Sequence, residues 1–130
     1  NHWNINYFSY EDIAGFQFNV EGVNIASVSG GESELAGFYI DVNGSFVLGF
    51  STTGLLIPSG EGVLFELVLI SGQPLGIVNI VISDQNGQLL DFTYMFCSNI
   101  IKKGFGFVRE VILASIFGSS ILYSNFFLQI

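Results

Sequence analysis

Few side chains in this sequence are suited to chemistry, and those few are far apart. His2 is the only histidine and Cys97 the only cysteine among 130 residues. A Ser-His-acid triad would need His2 as its base, and a zinc site would have only His2, Cys97 and carboxylates as ligands. Neither residue has partners at the spacing that such sites show. We therefore predict no catalytic residues, and we expect that the chain is not an enzyme.

Two pairs of acidic residues have the composition of a glycosidase site. Glu11 is adjacent to Asp12, and one residue separates Glu32 from Glu34. Paired carboxylates can supply the acid and the base of glycoside hydrolysis. However, both pairs lie in predicted loops or turns, and adjacent residues of a strand point to opposite faces. The sequence favours solvated loop acids.

Asp84, Asn86 and Asp91 surround Gly87 and resemble part of an oxygen-rich calcium loop. A calcium loop of the EF-hand type needs more ligands and a terminal Glu. The same Asp-x-Asn-Gly sequence also suits an ordinary tight turn. The sequence leaves both interpretations open, and it predicts no other cofactor.

Trp3 and Tyr7 could form an aromatic platform for a sugar ring. Both lie in a segment in which large apolar residues alternate with Asn4 and Asn6, which predicts a strand. Positions i and i+4 of a strand share one face, so the two rings are candidates for glycan binding. Packing in a core would produce the same alternation, and the sequence does not separate the two.

Short alternating segments separated by turn residues recur about every ten residues before residue 97. Such spacing is typical of an all-β sandwich or barrel. Asn43-Gly44 predicts a hairpin, because both residues tolerate positive φ. Residues 32–36 could form a single helical turn. The predicted strands are 3–7, 16–20, 23–28, 38–40, 46–50, 63–70, 77–82 and 89–96.

Charge is distributed unevenly along the chain. Residues 1–100 contain ten Asp and Glu residues and neither Lys nor Arg. This argues against a nucleic-acid partner, whose phosphates bind mainly to cations. Charged residues make up 11% of the chain, whereas soluble domains average about 25%. A surface of uncharged polar residues is typical of extracellular or assembled β-proteins, so we predict an extracellular, cell-surface or virion location.

The segment 97–130 differs from the rest. It holds Lys102, Lys103 and Arg109, and residues 111–130 carry no charge. Three interpretations are open: added strands, a strand donated to a neighbouring subunit, or a membrane span. Several Ser and Asn side chains would make a poor lipid-facing surface, which favours the first two. An abnormal tail from a misread frame would also explain the abrupt change. The predicted interface residues are Phe105, Phe107, Val111, Leu113, Phe117, Leu122 and Phe126.

Three motifs resemble those of cohesin-like domains. They are IAGFQFNV at 13–20, STTG at 51–54 followed by IPSGEGVLF at 57–65, and VISDQNG at 81–87. They occur in the family's order within residues 3–92. The resemblance implies a jelly-roll-like β-sandwich of about nine antiparallel strands. In cellulosomes, such domains bind dockerin modules through one sheet face.

We therefore predict a cohesin-like β-sandwich over residues 1–96, followed by a basic-then-apolar segment over 97–130. Its predicted function is non-catalytic: a structural or protein–protein interaction module of an extracellular, cell-surface, virion or filament assembly. The predicted partner is a protein, through self-assembly or a larger complex. Two alternatives remain, a carbohydrate-binding adhesion module and a surface module anchored in the membrane through 111–130.

Overall fold

The computed structural model describes residues 2–95 and 110–115, and its fold is all-β. It contains eight strands and one short helix. The strands are β1 (His2–Ser9), β2 (Gly15–Ser29), β3 (Phe38–Asn43), β4 (Phe46–Ser51), β5 (Gly60–Ser83), β6 (Leu89–Leu90), β7 (Phe92–Met95) and β8 (Glu110–Ser115), and the helix is α1 (Gly31–Leu35). The all-β prediction is confirmed.

Hydrogen bonds join the strands in the order β3-β4-β2-β5-β1-β8-β7, and β6 pairs with β5. Every pair is antiparallel except β1 with β8, which run parallel. The described residues thus form eight of the roughly nine predicted strands, and one of their pairings is parallel. A late segment of the chain runs beside β1 in the same direction, which a pure series of hairpins would not allow.

β2 and β5 are too long to be straight. They have 15 and 24 residues, and at about 3.3 Å per residue a straight β5 would span roughly 80 Å. Both strands bend where Gly22 (φ 87°) faces Gly72 (φ 93°). The sequence predicted breaks at these turn residues. That prediction was wrong, because the Gly residues and Pro74 introduce bulges into a continuous ladder instead of ending it.

The bends fold the strands into two packed layers. The first layer contains β3, β4, β6, β2 up to residue 21 and β5 from residue 76. The second contains the remaining parts of β2 and β5 with β1, β7 and β8. Phe65 of the second layer packs on Phe16 and Phe18 of the first, with ring centroids 5.6 and 6.0 Å apart. These buried rings lie in one hydrophobic core that joins the layers.

The short-range turn predictions are confirmed. The β3–β4 hairpin is present where it was predicted, but its two turn residues are Gly44, with φ 63°, and Ser45, because Asn43 pairs with Phe46 as the last residue of β3. The predicted helical turn is α1. Among the described residues, no helix is long and apolar enough to cross a membrane.

Part of the C-terminal segment belongs to the sheet. β8 pairs in parallel with β1, which places Val111 opposite Ile5 and Leu113 opposite Tyr7, and it pairs antiparallel with β7. For residues 110–115, this is the added-strand arrangement. The predicted interface residues Phe105, Phe107, Phe117, Leu122 and Phe126 lie outside the described residues. Their role, the boundary at residue 97 and the membrane alternative stay predictions.

Candidate binding face

The acidic and histidine side chains that the sequence singled out are placed as surface and turn residues. His2 Nδ1 lies 3.1 Å from Glu66 Oε2, and both side chains are exposed. Asp12 Oδ1 accepts a hydrogen bond from Ser59 N, and Glu34 Oε1 accepts one from Gly30 N. Among the described residues, no three His, Cys, Asp or Glu side chains are grouped to hold a metal ion.

Asp84 organises the turn between β5 and β6. Its Oδ1 accepts hydrogen bonds from Asn86 N at 2.8 Å and Gln88 N at 2.9 Å. Gly87 has φ 79° and donates to the Asp84 carbonyl. One carboxylate oxygen of the calcium candidate is thus already engaged by the backbone. The calcium site at Asp84, Asn86 and Asp91 stays a prediction.

Tyr7 does not form a sugar platform, because its side chain is buried and its hydroxyl donates to Pro58 O at 2.8 Å. Trp3 is partly buried and packs against the core on the same strand face. The predicted glycan pair is therefore corrected. The alternation of β1 reflects packing against the other layer and not an exposed platform.

Tyr7 gives the chain an expected sensitivity to alkali. Burial, followed by the negative charges of Glu32 and Asp12, raises its pKa to about 12. Between pH 10 and 12, the unfolded chain loses a proton that folded Tyr7 keeps. The free energy of unfolding should then fall by about 1.4 kcal/mol per pH unit, while below pH 10 the contribution is fully present.

Urea unfolding across this pH window would measure the slope. Tyr7→Phe should flatten this slope. Equal slopes for the unsubstituted chain and Tyr7→Phe would contradict the raised pKa of Tyr7.

The first layer exposes a sheet face with an apolar surface. Directly opposed residues of antiparallel strands place their side chains on one face. Two neighbouring rows run across the strands, Tyr39–Phe50–Gly15–Ser83–Leu89 and Asp41–Leu48–Gln17–Val81. We call the apolar members the outer face: Tyr39, Leu48, Phe50, Val81 and Leu89.

The outer face is exposed although its members are apolar. Tyr39, Phe50 and Leu89 are 52%, 43% and 73% exposed, and Val81 is 40% exposed. The rings of Tyr39 and Phe50 lie 5.3 Å apart. Gly15 has no side chain, which leaves a shallow hollow of about 200 Å³ between Phe50 and Val81. The face thus offers a ridge and a hollow to an incoming surface.

Acidic groups border the outer face. Asp41 is exposed within it. At the Gly15 end, Ala14 N donates to Ser83 O, which brings the chain after Asp12 next to the chain before Asp84. Here Tyr10, Glu11, Asp12, Leu56, Ser59, Asp84, Gln85 and Asn86 line a cleft of about 260 Å³.

No protein-family model and no curated protein matches the chain. Among solved structures, it is similar to a "Non-cellulosomal cohesin from the hyperthermophilic archaeon Archaeoglobus fulgidus". The two have 12% sequence identity and a TM-score of 0.45, and the match covers 96% of this chain and 97% of that chain. It agrees with the resemblance to cohesin-like domains that the sequence motifs indicate.

Proposed function

We propose that the chain is a non-catalytic protein-interaction module and that a partner protein binds its outer face. One observation carries the proposal: Tyr39, Phe50 and Val81 are exposed together on one side of the sheet. The sequence resemblance to cohesin-like domains, which recognise a partner through a sheet face, supports it.

The size of the outer face suits a recognition site. Five strands at about 4.8 Å spacing, and a distance of about 7 Å between neighbouring rows, cover some hundreds of Å² once the side chains are included. An apolar patch of that size is typical of the largest patch on a soluble monomer, which is often functional. The exposed Tyr39–Phe50 pair supplies the aromatic side chains that often dominate binding energy.

We further propose that the module works in an extracellular or cell-surface assembly. The low content of charged residues and the uncharged polar surface support this location. Fractionation of the source cells with an antibody to the chain would test it. Recovery of the chain only from the cytoplasm would oppose it.

Two matched substitutions on β5 test the proposed binding face. Val81 lies on the outer face, whereas Ile70 is 66% exposed near the Gly22–Gly72 bend. The full chain, Val81→Ser and Ile70→Ser would each be immobilised and exposed to proteins of the organism that encodes the chain. A specific partner should bind the chain and Ile70→Ser, and lose about tenfold in affinity, ~1.4 kcal/mol, with Val81→Ser.

Each captured protein would then be purified and titrated against the full chain, Val81→Ser and Ile70→Ser to measure the three dissociation constants. A captured protein that binds all three with equal affinity does not use the outer face. If every captured protein binds all three equally, and circular dichroism shows that the variants remain folded, the proposed function is wrong.

A further inference from the structure

The charges around the outer face indicate which kind of protein it accepts. Resting on the proposed function, we infer that the partner surface is cationic: an apolar ridge flanked by Lys or Arg side chains. The inference concerns the chemistry of the partner and not a separate ion site.

Among the described residues, the charged side chains in and around the outer face are all acidic. Asp41 lies within the face, and Glu11, Asp12 and Asp84 line the cleft at its Gly15 end. Residues 1–100, which supply every side chain of the face, contain neither Lys nor Arg. A partner that covers the apolar residues therefore brings its own flanking groups close to carboxylates, and none of the residues that the structure describes is a Lys or Arg.

Charge complementarity decides between classes of occupant. Like charges placed against each other disfavour a complex, and opposite charges speed association and fix orientation. A second copy would bring Asp41 and the same acidic border against themselves, and each copy carries a formal net charge of −8. An acidic partner meets the same repulsion. A basic partner gains attraction at the rim while its apolar ridge covers Leu48, Phe50 and Val81.

The cleft at the end of the face has room for one long cationic side chain. Its volume of about 260 Å³ is bordered by three carboxylates and by the amide side chains of Gln85 and Asn86. Asp12 and Asp84 each use Oδ1 to accept backbone hydrogen bonds. A Lys or Arg of the partner would therefore add to an arrangement that the turn hydrogen bonds already hold in place.

Two synthetic amphipathic peptides would test the inference with defined probes. Both would have about 18 residues, enough for five helical turns, and an identical Leu ridge. One carries Lys at every flanking position and the other Glu. We expect the Lys peptide to bind the full chain at least about tenfold more tightly than the Glu peptide. Its affinity should fall about tenfold for Val81→Ser but not for Ile70→Ser.

Salt provides a second readout. The Debye length falls from about 8 Å at physiological ionic strength to about 3 Å at 1 M, so the preference for the Lys peptide should shrink as salt is added. Isothermal titration would give the affinities, and sedimentation of the chain alone would report self-association. Asp41→Asn should lower the affinity for the Lys peptide and should not lower the affinity for the Glu peptide.

Each other outcome overturns the inference. Equal binding of both peptides at the outer face removes the cationic preference but leaves the proposed function standing. Binding of the Lys peptide that ignores Val81→Ser shows general attraction to an acidic protein. If the chain forms a dimer and Val81→Ser dissociates it, a second copy of the chain occupies the outer face. No binding of either peptide also counts against the inference.

Discussion

Replacing Gly72 by alanine is expected to lower the free energy of unfolding by at least about 3 kcal/mol, a large part of the 5–15 kcal/mol that a domain of this size has. A Cβ built on Gly72 would stand 2.0 Å from the carbonyl oxygen of Gly22 and 2.8 Å from Val23 Cα. Both are backbone atoms, so no side-chain rotation can relieve the contact. The two layers could separate at this bend only by breaking the β2–β5 ladder.

Gly54→Ala provides a matched control for the same backbone strain. Gly54 has φ 87°, close to the 93° of Gly72, but an added Cβ would meet no atom within 4 Å. Its cost should be only about 1–2 kcal/mol, the penalty of an L residue with positive φ. Chemical denaturation of both variants measures the difference. Equal losses would show that the Gly22–Gly72 approach does not limit the fold.

The bend also explains why the strands could be predicted but not their continuity. The alternation of residues 16–20 and the apolar runs at 63–70 and 77–82 predict extended structure, which the sheet confirms. A cluster such as Ser71-Gly72-Gln73-Pro74 is equally typical of a loop and of a bulge. The choice depends on the contact between Gly22 and Gly72, which are 50 positions apart. Local sequence carries no information on that pairing.

The candidate site was harder to predict for a related reason. Period-two alternation shows that Trp3 and Tyr7 share a face, and that Leu48 and Phe50 share another. It does not show which face is covered by a second layer. In the folded chain the first pair faces the core, whereas Phe50 faces outward with Tyr39. A useful signal was present within single strands, since Asp41 shares its face with Tyr39 and Asn19 shares its face with Gln17, whereas Phe16, Phe18 and Val20 on the core face of β2 are all apolar.

The aromatic contact between the layers predicts a second large loss of stability. Phe65 is fully buried on β5, and its ring packs on both Phe16 and Phe18 of the opposite layer. Phe65→Ala should lower the free energy of unfolding by about 3–5 kcal/mol, through lost burial and the cavity left between the layers. The lost ring pairs, each worth about 0.5–1.5 kcal/mol beyond area, are part of this loss. Urea titration followed by circular dichroism would measure it.

Phe50→Ala is the appropriate comparison, because it removes the same ring from the outer face. Phe50 is 43% exposed, and its ring lies beside that of the exposed Tyr39 at an interplanar angle of 49°, so its loss should cost only about 1–2 kcal/mol on the burial scale. The two variants should therefore separate folding from binding. Phe65→Ala should destabilise the sandwich, whereas Phe50→Ala should lower the affinity for the partner while the sandwich stays folded. If Phe50→Ala proved as destabilising as Phe65→Ala, the outer face would be part of the structural core, and its exposed aromatic pair would no longer argue for a partner.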